Sequence, residues 1–261
     1  MTIKETAKAI ADGINARGIT ANTTEVVKNR IVNYGITVGE GTVRPTFYIT
    51  EDNKVNNSID KIIEQYNNLP QLNFDNVIDN FNNFDKIKDK IIPALYMNGD
   101  DSLVTRPFLD MVLIYKVKVD DDATITIKKD HLNIWNVTED EIYNIAIENA
   151  RDTFTNTPMS EVLGFPNPNS DFLMNVITNK DKLFGATAML YPEFFKDIYE
   201  KHGTFAILPS SIHEVLVVTY ENNIEELNAM VKEVNETQVK PEEWLSNHAY
   251  LFNGSEVVMD A

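Results

Sequence analysis

The chain has no cysteine. That absence removes disulfides, thiolate metal sites, cysteine nucleophiles and iron–sulfur clusters together, and it fits a reducing compartment. Cations are scarce: 23 Lys and Arg stand against 40 Asp and Glu, a formal charge of −17. Binding to phosphate backbones depends on clustered cations that release counterions, so direct nucleic-acid binding is not expected. The same balance opposes docking on anionic membranes. No apolar run reaches the length of a membrane span, and the longest, residues 111–115, is strand-sized. The first residues carry Lys4, Glu5, Lys8 and Asp12 rather than the apolar centre of a signal peptide. The expectation is a cytoplasmic protein with no membrane attachment.

What is present is ordinary for a folded chain. Of the 261 residues, 43% are hydrophobic and 24% charged, and 13 Phe with 10 Tyr argue against disorder. A chain of this length can bury a sizeable core.

Residues 2–17 predict a helix, with Ile3, Ala7, Ile10 and Ile14 at helical spacing. Residues 25–34 and 42–50 predict strands joined by a turn carrying Gly35, Gly39 and Gly41. Helices are expected at 56–68 and 74–92, the second ended by Pro93. Residues 109–119 read as a central strand paired with 123–128 across the link Asp120, Asp121, Asp122. Thr138 with Glu141 forms a capping box opening a helix. Residues 171–178 and 184–190 predict a hairpin, and residues 191–202 a helix closed by Gly203. Strands at 204–208 and 214–220 precede a helix at 224–235, and two short strands close the chain. Short links between strands favour antiparallel pairing. The fold class is therefore α+β, a mostly antiparallel sheet flanked by helices with a helical and hairpin N-terminal part. Two regions are expected, 1–93 and 94–261, unless the chain forms one continuous domain.

Several blocks together resemble a known family. They are Arg44-Pro45-Thr46-Phe47-Tyr48-Ile49, Arg106-Pro107-Phe108-Leu109-Asp110, and the run from His131 to Val137 followed by Thr138-Glu139-Asp140-Glu141. Further blocks are Val176-Ile177-Thr178-Asn179, Gly185-Ala186 leading to Leu190-Tyr191-Pro192, and Leu208 to Glu214. The last are Glu233-Val234-Asn235 and Thr237-Gln238-Val239. The resemblance runs from Thr24 to Ser255 and is to a large domain family of unknown function. It implies a setting in anaerobic Gram-positive bacteria and their phages and mobile elements, and no catalytic residues to carry over. The acidic, Asn-rich turns around residues 98–102 depart from the family pattern.

Candidate pocket or interaction residues come from the chain itself. In Leu208-Pro209-Ser210-Ser211-Ile212-His213-Glu214, a hydrolase would use Ser210 or Ser211 as nucleophile and His213 as base. In an extended segment Ser211 and His213 stand about 6–7 Å apart with Glu214 on the other face, so a turn with a structural histidine is favoured. Asn149 falls on the apolar stripe of its helix, and a buried amide needs partners or costs about 1–3 kcal/mol. It either ties that helix to a strand or lines a pocket. Asp110 precedes an apolar strand and is expected to pair with Arg106 or a lysine. His131, His202, His213 and His248 are far apart, without metal-ligand spacing. No cofactor or metal is expected, and the balance leans away from an enzyme.

Three functions compete. The first is a non-enzymatic protein-binding or regulatory module, acting on host machinery if carried by a phage or mobile element. The second is a small-molecule binder or hydrolase with a pocket near Pro209 to His213. The third is an acidic nucleic-acid mimic.

Overall fold

The computed structural model describes residues 1–28, 31–40, 44–68, 80–120, 123–165 and 174–259. The chain divides into two compact units, Met1–Asn82 and Asn83–Ala261.

The N-terminal unit opens with α1 (Ile3–Asn15), capped by Thr2, whose hydroxyl accepts from the Glu5 amide while Glu5 reaches back to the Thr2 amide. A three-stranded antiparallel sheet follows in the order β1 (Ala21–Lys28), β2 (Ile31–Val38), β3 (Thr46–Tyr48). Helix α2 (Val55–Asn68) completes the unit. Ala7, Ile10, Ala11 and Ile14 of α1, Ile36 and Val38 of β2, and Ile59 and Ile62 of α2 form its core. The Asn15 side chain brackets the start of β1, donating to the Ala21 carbonyl at 2.8 Å and accepting from the Ala21 amide at 2.9 Å.

The expected strand at 25–34 is instead a hairpin. Val26 pairs with Asn33, Val27 with Val32 and Lys28 with Ile31. Both arms carry β-branched residues, so strand propensity alone does not separate them. Gly35 lies within β2 opposite Tyr48, not in a turn. Gly41 and the start of the strand expected at 42 lie outside the described residues.

The C-terminal unit holds two antiparallel sheets. One contains β4 (Ile91–Tyr96), β6 (Met111–Asp120) and β5 (Thr105–Phe108) in that order, with β7 (Ala123–Thr126) also paired to β6. Helix α3 (Glu139–Ala150) packs on β4 and β6 through Ile142, Ala146 and Ala150. The other has six strands, ordered β13 (Val257–Val258), β12 (Tyr250–Phe252), β10 (Phe205–Ser211), β11 (Glu214–Thr219), β9 (Met174–Asn179) and β8 (Phe154–Pro158). Helix α4 (Ile224–Gln238) covers β10, with Val231 among Ala206, Leu208, Val218 and Leu251. The rings of Phe195, Phe205 and Phe252 meet at centroid distances of 5.4–5.9 Å. The fold is α+β, with antiparallel sheets flanked by helices.

Two expected elements are corrected. The helix foreseen at 74–92 falls partly outside the described residues. Its described end is helical only to Ile87, passes through a 3-10 turn at Lys88–Lys90, and becomes β4. Pro93 sits inside that strand, opposite Tyr115, rather than stopping a helix. Among the described residues strand β4 pairs only with β6, and such an edge is where a sheet tolerates proline. The second arm of the hairpin foreseen at 184–190 is a buried 3-10 turn, Gly185–Leu190; residues 171–173 lie outside the described residues. Strand β9 pairs with β8 and β11 instead.

Gly185 shows why a turn forms there. A Cβ at this position would lie 2.5 Å from Thr178 Oγ1 and 2.6 Å from the His213 carbonyl oxygen. Only a residue without a side chain allows the backbone that close.

Candidate functional site

The candidate residues fall into three separate hydrogen-bonded groups. At the β10–β11 turn, the Ser211 hydroxyl accepts from the His213 backbone amide at 3.1 Å, and Ser210 Oγ donates to Glu214 at 3.3 Å. Ser211 therefore serves the turn that carries His213. His213 Nδ1 accepts from the Phe184 amide at 3.2 Å, its ring stacks on Phe184 at 5.5 Å, and its carbonyl accepts from Thr178 Oγ1 at 2.8 Å. Burial pushes its pKa down, outweighing the opposing charges of Glu243 and Glu214. An imidazole whose Nδ1 accepts an amide proton is held neutral with its other nitrogen protonated.

Asn149 forms the second group. Its amide donates to the carbonyls of Lys88 at 2.8 Å and Ile91 at 2.9 Å, joining α3 to the start of β4. It also lines a cavity of about 40 Å³ with Thr153, Asn179, Asp181 and Thr187. That volume suits a few water molecules and is well below the roughly 300 Å³ of a small-molecule pocket.

The third group centres on Asp110, at the tip of the β5–β6 hairpin. Phe108 pairs with Met111, so Leu109 and Asp110 are the whole turn. Leu109 adopts φ 54°, a conformation that strains a branched residue. Asp110 does not pair with Arg106. Arg106 instead bonds Asp140 and lies 4.0 Å over the Tyr143 ring. The Asp110 carboxylate accepts from Ser246 Oγ at 2.9 Å, from Tyr250 Oη, and meets His248 Nδ1 at 2.8 Å. Burial raises the Asp110 pKa, but the bonds from Tyr250, His248 and Ser246 together leave it below the usual carboxylate range. Tyr250 is pushed up, by burial first and then by Asp110.

An ionised carboxylate only accepts, so His248 Nδ1 is the donor. The His248 side chain is 48% exposed and that of Asp110 27%. The segment is fixed from behind by α4. Buried Asn235 donates to the Ser246 carbonyl at 2.8 Å and to Asn247 Oδ1 at 2.9 Å, while Asn228 Oδ1 accepts from the Ala249 amide at 2.7 Å.

Of this constellation, the sequence points to Asp110 alone. Ser246, His248 and Tyr250 alternate with a period of two, the mark of side chains on one side of an extended segment. That alternation was the available signal, but its target lies well over a hundred residues earlier. Among the described residues no group of three or more His, Asp or Glu is placed to hold a metal ion, and no helix is long and apolar enough to cross a membrane.

A second feature concerns exposed apolar side chains. Strand β8 is an edge of the six-stranded sheet and runs into a single helical turn, Met159–Val162. Val162 is 55% exposed, Leu163 61% and Phe165 75%. Met174 is exposed at the same end of β9, beside the Pro158–Asn175 pair.

In comparison with known proteins, the model of a family described as a family of unknown function, DUF5688, matches residues 2–254. No curated protein and no solved structure matches the chain.

Proposed function

We propose, for a chain that belongs to the DUF5688 family of unknown function, that it works in the cell interior as a module that binds another protein. The observation that carries this reading is the run of exposed apolar side chains after β8. Leaving Val162, Leu163 and Phe165 in water forgoes about 1.5–3 kcal/mol for each side chain that could be buried. Such a run beside β8, an edge strand among the described residues, suits a partner that covers the apolar groups and adds main-chain bonds to the sheet. The high negative charge favours a partner with a basic rim around an apolar centre. A setting on a phage or mobile element would make that partner a component of the host.

The test is affinity capture from host lysate with the full chain and with a Leu163→Asp, Phe165→Asp double variant. A discrete partner retained by the parent and lost by the variant supports the reading. An identical set of captured proteins with both sinks it. Circular dichroism of the variant guards against loss of fold, which is not expected because both side chains are exposed.

A further inference from the structure

The constellation at Asp110 has a chemistry of its own, independent of the partner-binding reading. We propose that Asp110 and His248 form an acid–base dyad whose reactive atom is His248 Nε2, acting on water during hydrolysis of a neutral or cationic carboxylic ester.

Three observations carry this. The carboxylate of Asp110 has both oxygens engaged by donors, Ser246 and His248 on one and Tyr250 on the other, so it fixes the ring with Nδ1 protonated. Among the described residues Nε2 has no hydrogen-bond partner, and the side chain is 48% exposed. The frame is held on every side: Asn228 and Asn235 grip the backbone around His248. The opposite wall is a two-residue turn with Leu109 at φ 54°, and such strain collects where geometry is imposed by function.

The arrangement also selects the nucleophile. Ser246 Oγ donates to Asp110 and accepts from the His248 backbone amide at 2.9 Å, so it is committed on the Nδ1 side of the ring. Tyr250 is likewise committed to Asp110. Water is then the group that Nε2 activates. Nε2 takes a proton from water as the water oxygen bonds to the ester carbonyl carbon. As the tetrahedral species collapses, the bond to the leaving oxygen breaks and that oxygen receives the proton from Nε2. The products are an acid and an alcohol, and the imidazole is restored. Asp110 is a positioning residue, and His248 is the catalytic one. The charge of −17 disfavours anionic esters.

The full chain is assayed on 4-nitrophenyl acetate, with anionic 4-nitrophenyl hydrogen succinate for comparison. The expected rate rises sigmoidally with pH as the imidazole loses its proton, and is higher for the neutral ester. His248→Gln lowers it at least tenfold, and His213→Gln leaves it unchanged. Asp110→Asn lowers the rate and weakens the preference of the neutral ring for a proton at Nδ1. In nitrogen-15 NMR of the parent protein, His248 is protonated at Nδ1 when neutral. A rate no greater than that of an equal concentration of N-acetylhistidine overturns the proposal. So does a rate that survives His248→Gln, or an Nδ1 without its proton, a measurement that needs no variant to fold.

Discussion

His213 and His248 lie beside strands of one six-stranded sheet, yet the hydrogen bond at Nδ1 runs in opposite directions. At His213 a backbone amide donates to Nδ1, and a phenyl ring covers one face. Protonation there would break a bond and bury a charge. At His248 the ring donates to a carboxylate, and protonation would leave that bond intact. The partner of one ring nitrogen thus decides whether the other is a spent donor or an available base. The sequence context of His213, with two serines and a glutamate nearby, looks the richer of the two. The richer chemistry is at His248, whose carboxylate comes from a distant hairpin.

The contrast can be broken most directly at Asp110. Asp110→Ala leaves the hydroxyls of Ser246 and Tyr250 without their acceptor and is expected to cost about 3 kcal/mol, read by urea denaturation. A loss under 1 kcal/mol would mean the cluster is not a fixed frame. Gly185→Ala drives a methyl group into Thr178 and the His213 backbone. It is expected to cost about 2 kcal/mol in the same measurement, and to displace the His213 resonance while leaving that of His248 in place.

The two sites also separate by pH. His213 has its folded pKa lowered, by burial first, so its contribution is present above the ordinary histidine value and lost as pH falls through the folded value. His213→Gln should therefore flatten the fall of stability below about pH 6.5. Asp110 is also lowered, against burial and by its three donors. Its contribution is present above the ordinary carboxylate range and disappears only below about pH 4. The gap between the parent and Asp110→Asn should hold from pH 7 to 5 and close under stronger acid. At the small end, Ser211→Ala removes one turn bond and should cost about 1 kcal/mol. Arg106→Ala breaks an exposed pair with Asp140 and should cost about 0.5 kcal/mol. Thermal melts resolve both, and an Arg106 effect above 2 kcal/mol would show the pair to be structural.

Much of the fold was readable because local signals were self-sufficient. The stripe of Ile3, Ala7, Ile10 and Ile14, the Thr138–Glu141 cap, and the apolar runs on either side of Ser210 each announce an element without help from elsewhere. The signals failed where two readings shared one pattern. Ile87 and Ile91 keep helical spacing through a change to strand, and Pro93 serves an edge strand as readily as it ends a helix. Strands β5 and β8 are short and mostly polar, so they carry little alternation to detect. Of the site, Asp110 stood out because a carboxylate beside an apolar strand needs a partner. Which partner it takes depends on how the six-stranded sheet meets the β5–β6 hairpin, and no local pattern encodes that.

The placement of the prolines has a consequence for self-association. Strands β4 and β5 both flank β6, and each carries one, Pro93 and Pro107. Neither residue has an amide hydrogen to offer an incoming chain, so these two strands are poorly suited to templating polymerisation. In the six-stranded sheet Pro209 falls at a register shift between β10 and β11, inside the layer, and guards no border. Strand β8 has a proline only at its last residue. Strand β8 thus presents a border with no proline before its last residue, next to the apolar run at Leu163, where a guest strand can add.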